Sequence, residues 1–317
     1  MNGQLGNGTI RNIRSVPVQV YGLYNAVAVV AGQSHSIALA CDGMVWAWGW
    51  NDLGRLGDGT RESRATPAQV KGLYNVVSVD TSNAHSVALR SDGMVWAWGW
   101  NFHGQLGDGS WTNSCVPVPV EGLCNVISVA AGWGHSIALR TDGTVWTWGA
   151  GWNGQLGDGT TESRNMPVQA QDLTNVVSVA AGCNHSIALK ADGTVWAWGA
   201  NRSGQLGDGT TENSNTPVQV QGLTDIVSIA AGSSHSIALK ADGTVWAWGW
   251  NLNGQLGDGT SISRTIPIQT QNLSNVISVA AGLRTSIVLV SDGTAWGWGD
   301  NNFAQLGIGA TISRHIP

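Results

Sequence analysis

Short apolar runs separated by Gly, Asp and Pro breaks fill the chain, and no segment sustains the three-to-four spacing of an amphipathic helix. One unit illustrates the pattern. Residues 175–181, Asn175 to Ala181, are β-branched and nearly all apolar, as in a strand covered on both faces. His185 to Lys190 forms the next run and ends at Asp192-Gly193, a strong hairpin-turn signal. Thr194 to Gly199 is a third strand, with Trp196 and Trp198 two apart and so on one face. A fourth begins at Pro217, where a leading proline suits an edge. Four short antiparallel strands per unit are predicted.

The unit recurs. The Asp-Gly hairpin stands at Asp42, Asp92, Asp142, Asp192, Asp242 and Asp292, 50 residues apart each time. An Ala-Gly-x-x-His-Ser-x-Ala-Leu phrase precedes it, and Gly-Gln-Leu-Gly-Asp-Gly-Thr follows it, as at residues 154–160. Four strands at this period describe a β-propeller blade. The expected fold is all-β: one propeller domain over residues 1–317 with six four-stranded blades. Val16 to Val20 repeats the fourth-strand phrase without three strands before it, and the last unit has none after Pro317. Residues 16–20 are therefore expected to pair near 294–299 and complete the sixth blade; the alternative is a fragment of a seven-bladed propeller. The twelve paired tryptophans are expected to pack between blades.

These phrases resemble the regulator of chromosome condensation repeat family over almost the whole chain. Kelch repeats would require a Gly-Gly doublet and WD repeats a Trp-Asp step, and neither occurs. The resemblance implies a propeller acting through the loops of one disc face. Its best-known members have seven blades, whereas this chain holds six copies. The last copy is the least regular, with Thr285 for His, Gly297 for Ala or Thr and Ile308 for Asp.

Composition narrows the function. Charged residues make up 11% of the 317, well below the usual share, so most of each unit is buried or is turn. Net charge is −5 without a Lys/Arg block, which argues against nucleic acid as a partner. No apolar run is long enough to span a bilayer, so no membrane partner is expected. Cys41, Cys115, Cys124 and Cys183 fall at unrelated positions in the repeat and read as free thiols; with no leader peptide visible, a cytoplasmic location is expected.

Candidate chemistry is sparse. Gly149 to Gly154 matches a dinucleotide-binding glycine pattern but lacks the helix that pattern needs. The repeated histidines, His35 to His235, are expected to be neutral and hydrogen-bonded to backbone, and the Gly-Asp-Gly-Thr aspartates to cap turns. No catalytic residue, metal ligand or cofactor is assigned.

Positions that differ between copies are free of the demands of the fold. Two stretches vary most, the pair before each histidine and the residues after each Trp-Gly, and antiparallel order places both at the same end of a blade. They carry the candidate binding residues Trp50, Trp100, Phe102, His103, Trp111, Trp133, Trp152, Arg202, Trp250 and Arg284. Copies two and three hold most of the aromatics, which suit an interaction hot spot. The expected role is a non-catalytic binding module and monomer, with a protein as partner or alternatively a carbohydrate. An exchange-factor-like regulator of a small GTPase and an enzyme using a central opening are the competing readings.

Overall fold

In the computed structural model, which describes residues 2–10 and 13–317, every regular element is a strand. The first blade comprises Ala26–Ala31, His35–Ala40, Val45–Gly49 and Arg64–Gln69, paired antiparallel in chain order. The same order recurs in the next four blades, and the chain is an all-β, six-bladed β-propeller of antiparallel sheets. The second strand falls where the sequence places it, at His185–Lys190 in the fourth blade. The fourth strand of that blade starts before its proline, at Ser214.

Two compact units divide the blades. One comprises Met1–Ile13, Pro17–Gly151 and Glu162–Gln169; the other comprises Arg14–Val16, Trp152–Thr161 and Ala170–Pro317. The first holds blades one to three and the second blades four to six.

The sixth sheet departs from expectation. It has three strands, Val276–Ala281, Thr285–Val290 and Ala295–Gly299, and residues 13–20 contain no strand. Arg314 takes the fourth position instead, through an antiparallel bridge in which Gly299 and Arg314 exchange backbone bonds of 2.8 and 3.0 Å. The expected pairing of residues 16–20 is thus replaced by a local one. Gly249 meets Arg264 across the same chain length, so the repeat's own loop delivers Arg314 to that edge.

Packing follows the tryptophan pairs unequally. Trp48, Trp98, Trp148, Trp198, Trp248 and Trp298 are buried. Trp98 sits among Ile37, Leu39 and Val45 of the preceding blade, and Trp248 among Ile187, Leu189 and Val195 of its predecessor. Their partners Trp96 and Trp246 lie only half-buried at the margin of these cores, so the expectation that both members fill the inter-blade space holds fully for one of each pair. Each buried indole N–H donates to the backbone carbonyl of the preceding loop, as from Trp148 to Gln105 at 2.8 Å. Gly107 in that loop has φ +69°, and a Cβ there would stand 2.7 Å from the Trp148 Nε1. That contact requires glycine at this position.

The histidines also join blades. His35 Nε2 meets the Ser86 hydroxyl at 3.1 Å, His85 that of Ser136 at 2.9 Å, His185 that of Ser236 at 3.0 Å and His235 that of Ser286 at 3.1 Å. A serine side chain of the next blade therefore replaces the expected backbone partner. Burial holds the pKa of His35, His85 and His185 down to about 3 and that of His235 to about 4, so all four are neutral at pH 7.

Candidate functional site

In blade two, the loop after Trp98-Gly99 is shaped by a residue that lies within the variable stretch yet serves the fold. Asn101 accepts from the Leu106 N–H at 2.8 Å and donates to Asp108 at 3.2 Å, while the His103 N–H donates to Gln105 Oε1 at 2.9 Å. Asn51, Asn201 and Asn251 make the same clasp in their blades. Around this frame the Trp100 N–H donates to the Ala84 carbonyl at 2.9 Å, placing the indole beside the turn between the first two strands.

Four of the predicted residues form one aromatic cluster. Trp100 lies edge-on to Trp133 at 5.2 Å and to His103 at 4.8 Å; Phe102 stands 5.3 Å from His103, and His103 lies 6.0 Å from Trp133. The three edge-to-face pairs and the tilted His103–Trp133 pair all lie in the favourable distance range for aromatic rings. Phe102 is 70% exposed, so the cluster has an apolar, solvent-facing crest. Partial burial lowers the His103 pKa, which favours the uncharged ring.

The other predicted residues stand differently. Trp111 is half-exposed farther along the same loop, outside these ring contacts. Trp50 carries the Arg55 guanidinium over its ring at 4.5 Å, and Trp250 carries that of Arg284 at 5.5 Å. Trp152 and Arg202, in the second unit, are exposed.

Beneath the cluster lies a feature that sequence reasoning passed over. Where other copies read Ala-Ala-Gly or Val-Ala-Gly, copy two has Asp80-Thr81-Ser82. Asp80 accepts the Ala131 N–H and the Thr81 N–H, both at 2.8 Å, and burial pushes its pKa up to about 6. The Ser82 hydroxyl donates to the Gly132 carbonyl. Thr81 Oγ1 meets His35 Nε2 at 2.6 Å and donates to the His85 carbonyl at 3.0 Å. Two side chains of blade two therefore hold the backbone immediately before Trp133 in blade three. The signal was available: three consecutive substitutions in an otherwise repeated phrase.

Among the described residues no three His, Cys, Asp or Glu side chains converge as for a metal ion. Two hollows, lined by residues 219–224 and 269–274, contain no titratable side chain.

The fold and this cluster define a repeat propeller in which nearly identical blades hold an individual set of loop side chains. The chain belongs to the RCC1-like domain family, whose model matches residues 1–317. It is similar to human WBSCR16, with 24% identity, a TM-score of 0.87 and coverage of 97% of this chain and 84% of that one. It is also similar to Prp20p of Saccharomyces cerevisiae, whose structure was described with its binding to Gsp1p and histones; identity is 25%, the TM-score 0.86, and 100% of this chain and 83% of that chain are covered. Over 61 residues it is 43% identical to the ultraviolet-B receptor UVR8 of Arabidopsis thaliana, a stretch covering 18% of this chain and 14% of that relative.

Proposed function

We propose that this chain is a non-catalytic binding module whose partner is a protein, docked on the loop end of blades two and three. The aromatic cluster of Trp100, Phe102, His103 and Trp133 carries this reading. It joins two neighbouring blades, is built on a clamp no other copy has, and leaves Phe102 open to solvent. Exposed aromatics with a rigid base are the residues that dominate protein interfaces. The likeness to Prp20p, described with its binding to Gsp1p and histones, supports a protein as partner.

The test is capture of partners by the intact chain and by a Phe102→Ala, Trp133→Ala variant whose circular dichroism is unchanged. Truncating a central aromatic should weaken binding by about 2 kcal/mol or more. Undiminished binding by this variant, with loss on substitution at the Asp-Gly hairpin end, would place the partner elsewhere. The same likeness to Prp20p favours a second reading, a regulator of nucleotide exchange on a small GTPase. Stimulated nucleotide release from a candidate GTPase would select it, and a partner without bound nucleotide would exclude it.

A further inference from the structure

Two of the candidate residues, Trp250 and Arg284, are left unused by the aromatic crest of blades two and three. Trp250 opens the long loop of blade five and Arg284 sits in the turn between the first two strands of blade six, both within the second unit. The Arg284 guanidinium lies 5.5 Å from the centre of the Trp250 ring, in the range of a cation–π contact. Its backbone is fixed from two sides. The Leu283 carbonyl accepts the Ser233 N–H at 3.1 Å, and the Arg284 carbonyl accepts the Asp300 N–H at 2.9 Å. At the matching position the other copies read Ser34, Ala84, Gly134, Asn184 and Ser234, so the repeat itself needs no charge there.

The first copy holds an arginine–tryptophan stack in completed form. Arg55 lies over Trp50 at 4.5 Å, and Asp52, two residues after that tryptophan, meets the guanidinium at 2.7 Å. Arg55 is buried, and its charge is balanced within its own loop. In copy five the place of Asp52 is taken by Leu252. Arg284 is exposed, and among the described residues it enters no ion pair. The acids of the two adjoining loops are engaged elsewhere: Asp258 pairs with Arg264 at 2.7 Å, and Asp300 accepts from the Asn302 amide at 2.6 Å. The cation is thus left without a counter-charge. Apolar side chains neighbour the stack in sequence, Leu252 at 63% and Leu283 at 43% exposed.

We propose that the Trp250–Arg284 stack is a docking site for an acidic peptide segment of a protein partner, whose carboxylate takes the part that Asp52 plays in copy one. The planar guanidinium, steadied on the indole, offers parallel N–H donors to the two carboxylate oxygens. Leu252 and Leu283 receive an apolar side chain beside that carboxylate, and the water this excludes makes the ion pair stronger. One arginine between leucines suits one carboxylate. A nucleic acid would need several clustered cations, and the net charge of −5 opposes a polyanion. The site shares no residue with the crest, so either can fail without the other.

Panning a library of random dodecapeptides against the intact chain, Arg284→Gln and the Phe102→Ala, Trp133→Ala variant tests this. Peptides with Asp or Glu beside an apolar residue should be enriched on the intact chain and on the crest variant, and not on Arg284→Gln. In calorimetry with the most enriched peptide, Arg284→Gln should weaken binding about tenfold or more, the size of a lost hydrogen bond to a charged group. Replacing the peptide's acid by its amide should cost as much, and both changes together little more than either alone. Leu252→Asp, which sets the copy-one carboxylate beside the stack, should lower the affinity to a similar degree with unchanged circular dichroism. Absence of acidic enrichment, undiminished binding of the peptide to Arg284→Gln or to Leu252→Asp, or additive losses overturn the proposal. So does enrichment lost on the crest variant and kept on Arg284→Gln, which moves acidic recognition to blades two and three. Binding of a single-stranded oligonucleotide in place of the peptides, abolished by Arg284→Gln, overturns it as well by assigning the arginine to phosphate.

Discussion

At the scale of the residue, burial separates two tryptophans that the repeat treats alike. Trp198 is 0% exposed and its N–H donates to the Gln155 carbonyl at 2.9 Å, whereas Trp196 is half-buried with its N–H on the neighbouring Thr194 hydroxyl at 3.3 Å. Trp198→Ala should cost about 3–5 kcal/mol, the range for a large aromatic removed from a core. Trp196→Ala should cost about half as much or less, since part of its surface already meets water. Urea denaturation of the two variants checks the order, and equal losses would contradict it. Alternation along the third strand put both side chains on one face, as the sequence implies. The depth of each was not legible, because it depends on where the preceding sheet ends.

Between elements, the histidine–serine contacts make cohesion sensitive to pH. His35, His85, His185 and His235 have folded pKa values of about 3 to 4 against an ordinary value near 6.5. The unfolded chain therefore binds protons more readily, and stability is lost as pH falls below 6.5. At pH 5 each of the three at about 3 should cost about 2 kcal/mol. Asp80 works in the opposite sense: its raised pKa means that acidification from pH 7 relieves the burial of a carboxylate, by about 1 kcal/mol at pH 5. The histidines outweigh it, so melting temperature should drop steeply between pH 6.5 and 4, and more steeply in Asp80→Asn. A profile flat down to pH 4 would contradict the assignment. The His-Ser dipeptide repeated in five copies hinted at this ladder, but its two members act on different neighbours, and only stacked sheets reveal that.

Across the whole molecule, the copies differ where a partner can be recognised. Blades two and three carry the aromatic crest, whereas copies four and five place Ser203, Ser233 and Ser234 at corresponding positions. Blades one, four and five build the same four-stranded sheet without these aromatics, so the asymmetry is available for specificity. The clamp beneath Trp133 gives a sharper expectation than the crest itself. Ser82→Ala removes the bond to the Gly132 carbonyl without touching an exposed side chain, and should weaken partner binding several-fold through loss of preorganisation. Surface plasmon resonance with an identified partner measures this, and unchanged affinity with unchanged folding would detach the clamp from function.

The repeat period, the strand order and the end of each blade at which variation collects were all determined by the sequence, because alternation, Asp-Gly turns and copy number are local properties read directly from residue order. The aromatic candidates were legible for the same reason, as departures from a phrase repeated within one chain. Tertiary structure alone decided which rings touch, that Asp80 and Ser82 reach into the neighbouring blade, and that Arg314 rather than residues 16–20 bridges Gly299. Those outcomes depend on distances between segments about thirty to fifty residues apart, or on competition between two segments for one sheet edge. Neither distance nor competition is encoded in the periodicity of a single strand.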